Sequence, residues 1–291
     1  MSHQDPLAID RKAAPFDKYK GVRRLEPGRS GHESRSHVRH HLYVGTGRDN
    51  PVQVLIKVTS KPGLVYERDL DNEIATLQRI NDGLPDSHHF PFVYEHGHLD
   101  DGRRYLVMSL FDEFPLSTMV DTEPDPGRLV THLIAAIAIA RPLIDMHGLG
   151  IFHVDLNPMN ILYRVERRRP VVRLIDFESS YDSSRHGHGA FYSPPTTPGY
   201  TAPEVARQPP DARADVFSLG AVLHTLLTGD LWVGQEAIAP RVAADETLDD
   251  ELRDVLLKAV APNPARRHAS VDRFRLAMET YLERIWPGRS W

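Results

Sequence analysis

The chain contains no cysteine. Disulfides, thiolate nucleophiles and cysteine-ligated zinc are thereby excluded. No run of 18 apolar residues occurs, so the sequence offers no helical span long enough for a bilayer. Residues 1–20 are polar and lack the apolar stretch of a secretory signal. Lysine is scarce: basic charge is carried overwhelmingly by arginine, a bias read as that of a GC-rich, bacterial genome rather than as function. There is no basic excess either. Thirty-five basic residues face 40 acidic ones, for a net charge of −5, which argues against a nucleic-acid partner. The 16 histidines specify no convergent metal set and read as surface and loop residues. These absences describe a soluble protein expected in the cytoplasm, with export as an effector left open.

What is present is ordinary globular composition, 41% hydrophobic and 26% charged, over 291 residues. That length suits one two-lobed domain or two small ones. Residues 1–18 read as a flexible tail or an arm packed on the domain. Residues 38–44 and 52–58 are strand-like, with turn chemistry over 45–51. The second run, Val52 to Val58, is a buried-strand pattern carrying Lys57. Residues 66–81 have helical periodicity, with Leu70, Ile74, Leu77 and Ile80 on one face. Strands are expected at 92–97 and 103–109. After about residue 112 the character changes. A helix apolar all round is expected over 129–147, as for one buried in a larger lobe. Two short strands at 161–164 and 171–175 flank an Arg-rich turn at 167–169, read as a solvated tip. Residues 178–199 read as a long loop, and helices are expected at 215–228, 247–261 and 270–286.

Several residues have the chemistry of phosphoryl transfer. That reaction needs a charge on the nucleotide phosphates, oxygen ligands for Mg²⁺, and a group that orients the attacking hydroxyl and takes its proton. Lys57 offers the charge, and Glu73 in the next helix is an acid able to hold it. Asn160 and Asp176 offer oxygens of the kind hard cations prefer. Asp155 shares a loop with Asn160, so base and metal ligand can face one space. Each alone has a structural explanation, as an edge lysine, a solvated glutamate, loop caps or a strand end. Order and spacing set the combination apart.

These residues resemble the signature set of eukaryotic-type protein kinases, from about Tyr19 to Trp286. Val54-Leu55-Ile56-Lys57 resembles the strand-three lysine motif, and Glu73 to Leu77 the start of helix C. Tyr105 to Met108 resembles the strand leading to the hinge. The segment His153 to Asn160 is similar to the catalytic loop, and Asp176-Phe177-Glu178 to the magnesium motif. Thr197 to Glu204 resembles the end of the activation segment, and Asp215 to Gly220 the start of helix F. Asn263 to Arg267 implies Arg267 as partner of Glu204. Small-molecule phosphotransferases share the loop but lack the Thr197–Glu204 and Asp215–Gly220 features.

The resemblance implies an α+β, two-lobed protein-kinase-like fold. A small β-rich lobe with one helix and the hinge would occupy 19–111, and a larger helical lobe 112–291. It implies a Ser/Thr protein kinase of bacterial type using ATP with Mg²⁺, or Mn²⁺. Asp155 would be the base, Asn157 and Thr197 would border the acceptor, and Lys57 would be fixed by Glu73. Asn160 and Asp176 would hold metal. Gly31, Ser36, Val38, Leu55, Met108, Ser109, Leu110, Phe111 and Leu162, with Lys57, would surround the nucleotide. The partner would be a protein substrate, with a regulatory protein partner also conceivable.

The sequence departs from the family pattern at five places. In the best register of the glycine-rich loop, Gly31 is retained, while Glu33 and Ser36 replace the other glycines whose N–H groups approach phosphate. Leu55 replaces a small residue facing adenine. Val154 replaces the arginine that receives an activation-loop phosphate, which implies activity independent of that modification. Asn157 replaces a lysine that stabilises the transferring phosphate, and loss of such a charge slows transfer unless another cation substitutes. Glu178 replaces a flexible glycine. These departures motivate two alternatives: a pseudokinase or nucleotide-binding scaffold with little or no transfer activity, and a small-molecule kinase.

Overall fold

The computed structural model describes residues 9–25, 39–120, 128–189, 192–195, 197–231 and 237–288. The chain divides into two compact units, residues 1–81 with 91–111, and residues 82–90 with 112–291.

The first unit is built on strands β1 (Tyr19–Arg24), β2 (His40–Gly47) and β3 (Gln53–Thr59), helix α1 (Leu64–Gly83), and strands β4 (Val93–His98) and β5 (Arg104–Ser109). The antiparallel sheet has the order β1-β2-β3-β5-β4. In β3 the alternation of a half-buried strand puts Val54, Ile56 and Val58 into a core with Phe16, Val22, Tyr43, Tyr105 and Val107. Phe16 lies in a 3₁₀ turn, edge-on to Tyr43 at 5.5 Å, so residues ahead of β1 contribute to this core. Leu70, Ile74, Leu77 and Ile80 form the buried stripe of α1, as their spacing requires.

Two details differ from the sequence reading. β1 has no alternation to announce it, because only Val22 of its six residues is buried. β2 runs on through Gly45 and Gly47, where turn chemistry was expected, and the turn follows at 48–52. A Cβ at Gly47 would sit 2.2 Å from the Asn50 carbonyl oxygen, so this glycine serves a close backbone approach.

The second unit contains β6 (Phe114–Pro115), α2 (Arg128–Gly148), β7 (Ile151–Phe152), β8 (Ile161–Glu166), β9 (Arg169–Leu174), β10 (Tyr181–Asp182), α3 (Ser183–His186), α4 (Ala212–Thr228), α5 (Ile238–Ala244), α6 (Asp250–Ala259) and α7 (Val271–Ile285). The short strands make two small sheets, β10-β7 and β6-β8-β9. Against the sequence expectation of no such span, α2 is long and apolar enough to cross a bilayer by length and composition; Thr131, His132 and Arg141 interrupt its apolar run, and just over half of its most apolar stretch is buried in the protein. It packs on α4, α7 and β9 and buries Leu133, Ala136, Ile139, Ala140 and Leu143, so it is the core helix of this unit. Side-chain caps fix the starts of three helices. Asp211 accepts from Arg213 N–H at 2.9 Å, Asp249 from Leu252 N–H at 2.8 Å, and Ser270 from Arg273 N–H at 3.2 Å. Asp211 accounts for α4 beginning before Asp215. The expected loop 178–199 contains β10 and the one-turn α3, which Asp182 caps. α5 was not legible, since it buries only Ile238 and Val242.

Candidate active site

The loop His153–Asn160 joins β7 to β8. Val154 has φ of 68°, a left-handed conformation that β-branched residues avoid. It is held there by α4. The Asp215 carboxylate accepts the N–H of His153 at 2.9 Å and of Val154 at 2.7 Å. The Nε2–H of His147, near the end of α2, donates to the same carboxylate at 2.7 Å. Asp215 is fully buried. Burial pushes its carboxyl upward, but the bond from His147, with those of the loop, holds it below the usual carboxylate range. His153 is also fully buried. Its Nε2–H donates to the Ile175 carbonyl at 3.2 Å, and burial pushes its pKa down.

On this scaffold Asp155 is the focus of three side chains. Thr197, 42 residues on, donates its hydroxyl to Asp155 Oδ1 at 2.5 Å. Asn160 Nδ2 donates to the Asp155 carbonyl at 3.0 Å and lies 3.4 Å from Oδ2. Asn157 Nδ2 donates to the same carbonyl at 3.0 Å. Desolvation pushes the Asp155 carboxyl up to about 7, against the Thr197 and Asn160 hydrogen bonds and with the help of the Asp176 and Glu178 charges. Asn157 also accepts the Met159 N–H at 3.0 Å and is nearly buried, so both ends of its amide brace its own loop. The Ile175 N–H donates to the Asn160 carbonyl at 3.0 Å, which brings the end of β9 and Asp176 beside Asn160. Asp176 has φ of 65°, a second strained residue at this site.

The segment that delivers Thr197 is fixed further along. The Tyr200 carbonyl accepts the Ser218 Oγ–H of α4 at 2.8 Å, and its hydroxyl meets Thr225 Oγ1 at 2.8 Å. Arg267 grips Glu204 with two nitrogens, at 2.6 and 2.7 Å, and also donates to the carbonyls of Ala261 and Arg213. The Arg267 guanidinium lies 4.9 Å over the Phe217 ring.

In the first unit, Lys57 Nζ donates to Glu73 Oε2 at 2.8 Å, and both residues are buried. Leu55 pairs with Met108 in register across β3 and β5, and Met108 is buried. Ser109 donates its N–H to the Phe92 carbonyl and accepts the Phe92 N–H on Oγ at 2.7 Å. The Leu110 N–H reaches the Gln53 carbonyl at 3.4 Å, and Phe111 closes the unit. Leu162 is buried on β8 of the second unit. Gly31, Glu33, Arg35, Ser36 and Val38 lie outside the described residues.

The structure therefore brings Asp155, Asn157, Asn160 and Thr197 together with Asp176 alongside, and separately pairs Lys57 with Glu73. Asp215 was visible only as the first residue of a helix motif, and its hold on the loop is not written in its spacing. His147 left no signal at all.

The protein kinase domain family model matches residues 43–273. Serine/threonine-protein kinase Pkn1 of Myxococcus xanthus is 32% identical over 197 residues, which cover 62% of this chain and 28% of that protein. Human calcium/calmodulin-dependent protein kinase type 1B is 32% identical over 166 residues, 55% of this chain and 44% of that one. The chain thus spans less than half the length of these relatives. Among solved structures, the kinase domain of Mycobacterium tuberculosis PknI superposes with a TM-score of 0.63 at 23% identity, over 94% of this chain and 99% of that one, a likeness of fold. A family match running from β2 into α7, over a loop, lysine–glutamate pair and Glu204–Arg267 clamp built as described, establishes that the chain belongs to the protein kinase domain family.

Proposed function

We propose that this chain is an ATP- and Mg²⁺-dependent serine/threonine protein kinase. The observation that carries the reading is the 2.5 Å hydrogen bond from Thr197 to Asp155. It ties the segment that would border the acceptor to the group that would take the acceptor's proton. An aspartate pushed up towards neutrality by burial is a better proton acceptor than a solvated one, and a positioned base of this kind contributes about 10²–10⁴-fold.

The residues present fit the groups the reaction needs. The Asn160 amide nitrogen is engaged by Asp155, which leaves its oxygen as the ligand atom, and Asp176 adds a carboxylate. Two oxygen donors suit Mg²⁺, or Mn²⁺, which keeps water and phosphate oxygens in its remaining positions. When bound, Mg²⁺-ATP supplies the transferable phosphoryl group and neutralises charge on it. Lys57, fixed by Glu73, would hold the phosphates. Leu55, Met108 and Leu162 would pack on the base, with the backbone of Ser109, Leu110 and Phe111 to hydrogen-bond it. Gly31, Ser36 and Val38 would belong to the loop over the phosphates. Asp155 would orient the acceptor hydroxyl and accept its proton, and Asn157 would act by bracing Asp155. The substrate would be a protein hydroxyl, and the reaction would run in the cytoplasm.

The test is transfer of labelled γ-phosphate to a generic protein acceptor, followed by phosphoamino-acid analysis. Label on serine and threonine that disappears with EDTA and returns with Mg²⁺ or Mn²⁺ is expected. Nucleotide binding by thermal shift with no transfer to any acceptor would instead make the chain a pseudokinase.

A further inference from the structure

The β8–β9 hairpin carries a feature that phosphoryl transfer does not use. Its tip is Arg167-Arg168, and both residues are left-handed, with φ of 48° and 66°. Hairpin turns with positive φ at both positions favour Asn-Gly or Asp-Gly, because a side chain there is strained. A merely solvated tip, which is what the sequence suggested, has no need of two arginines in strained positions. Arg169, the next residue, lines a cavity of about 380 Å³ with Arg141 of α2 and His89. Ile134 and Ile137 of α2 and Val172 of β9 give it an apolar floor. The His89 wall is rigid: its Nδ1–H donates to the Val172 carbonyl at 2.8 Å, and its own carbonyl accepts the Leu174 N–H at 2.9 Å.

The arginines around this cavity take part in no ion pair: among the described residues, no carboxylate pairs with Arg141, Arg167, Arg168 or Arg169. Glu166 faces Arg169 in register but is engaged with Arg164 at 3.6 Å. In a chain of net charge −5, a group of unpaired arginines beside an apolar floor selects for an anionic, partly apolar ligand. The tip arginines lie beyond the cavity lining, so the cationic surface runs on past the space one small anion would fill. An extended chain with several carboxylates matches that layout.

We propose that the cavity between α2, β9 and residues 82–90, with the Arg167-Arg168 tip, is a docking site for an acidic peptide segment of a partner protein. An aliphatic side chain of the peptide fills the floor over Ile134, Ile137 and Val172. Its flanking carboxylates take the guanidinium groups of Arg141 and Arg169, whose planar donor forks match carboxylates. The site stands whether or not the chain transfers phosphate.

The test uses the full chain and a fluorescein-labelled twelve-residue peptide of alternating glutamate and leucine, read by fluorescence anisotropy. Reversing charge at the cavity, with Arg141→Glu and Arg169→Glu together, is expected to weaken binding at least about tenfold. Reversing two exposed arginines elsewhere, Arg266→Glu with Arg273→Glu, gives the same net charge and is expected to change binding less than about twofold. A peptide with alanine for leucine is expected to bind at least about fivefold more weakly. Replacing the tip by Arg167→Asn with Arg168→Gly keeps the turn and is expected to weaken binding without unfolding. Equal losses in the two reversal variants, undiminished binding of the alanine peptide, or no saturable binding to the unaltered chain would overturn the proposal. So would binding of phosphatidylserine vesicles, lost on the cavity reversal, in place of the peptide.

Discussion

Asp215 holds three donors on one buried carboxylate, two of them N–H groups of the His153–Asn160 loop. Asp215→Ala would leave the His153 and Val154 N–H groups buried and unpaired, at about 1–3 kcal/mol each. The expected outcome is a lower denaturant midpoint together with loss of turnover, because the left-handed Val154 loses the acceptor of its N–H. Asp215→Asn, which keeps one acceptor, is expected to fall between. Asn157 raises a different point. Its residue type reads as the loss of a charge, while the structure shows an amide that donates to the Asp155 carbonyl and accepts the Met159 N–H, bracing its own loop. Asn157→Lys would restore charge only by giving up those bonds. Identity and spacing were enough to bring Asp155, Asn160, Asp176 and Thr197 into view, since their chemistry is carried by residue type. The contacts of Asp215, His147 and Asn157 were not legible, because they depend on how a helix end and a loop meet in space.

Among the elements, those with a clear period were readable: α1 from its buried stripe, and α6 and α7 from their helical pattern, whose N-caps Asp249 and Ser270 the structure adds. β1 and α5 were missed for one reason, that each buries one or two side chains and so has no period to detect. The β8–β9 turn gives a prediction at this scale. Left-handed backbone costs an ordinary residue about 1–2 kcal/mol, so Arg167→Asn with Arg168→Gly is expected to raise stability by about 1–3 kcal/mol in urea unfolding. An unchanged or lower stability would mean that the arginines are not strained. The Glu204–Arg267 clamp makes the opposite prediction. Arg267 is buried and also serves backbone carbonyls, so Arg267→Ala is expected to cost about 3–5 kcal/mol, and Arg267→Lys, which cannot reproduce the fork, most of that.

For the whole molecule, buried histidines set the response to acid. His132, His224 and His268 have pKa values pushed down, in each case first by burial. Above their unfolded value, about 6.5, both states leave these rings neutral, and the stabilisation is fully present. Below it the unfolded chain takes up protons that the folded chain refuses, so stability falls with falling pH until the folded values are reached. Asp155, with its carboxyl pushed up to about 7, binds a proton in the folded chain first and works in the opposite direction. Tm is therefore expected to drop between pH 7 and pH 5 less than the three rings alone would give, and to recover in part when His224 is replaced by Gln. A difference between the unaltered chain and His224→Gln that stays constant over that range would contradict the burial of this ring. The division after Phe111 falls where the sequence changes character. The return of residues 82–90 to the second unit was not legible, since nothing in that stretch marks which unit it joins.

The most direct measurement is the initial rate of γ-phosphate transfer by Asp155→Asn beside the unaltered chain, at saturating Mg²⁺-ATP. With Asp155 as the base, the rate is expected to fall by about 10²–10⁴-fold while the thermal shift given by Mg²⁺-ATP stays the same. Equal rates in the two proteins would contradict the assignment of Asp155, and with it the reading of the chain as a kinase.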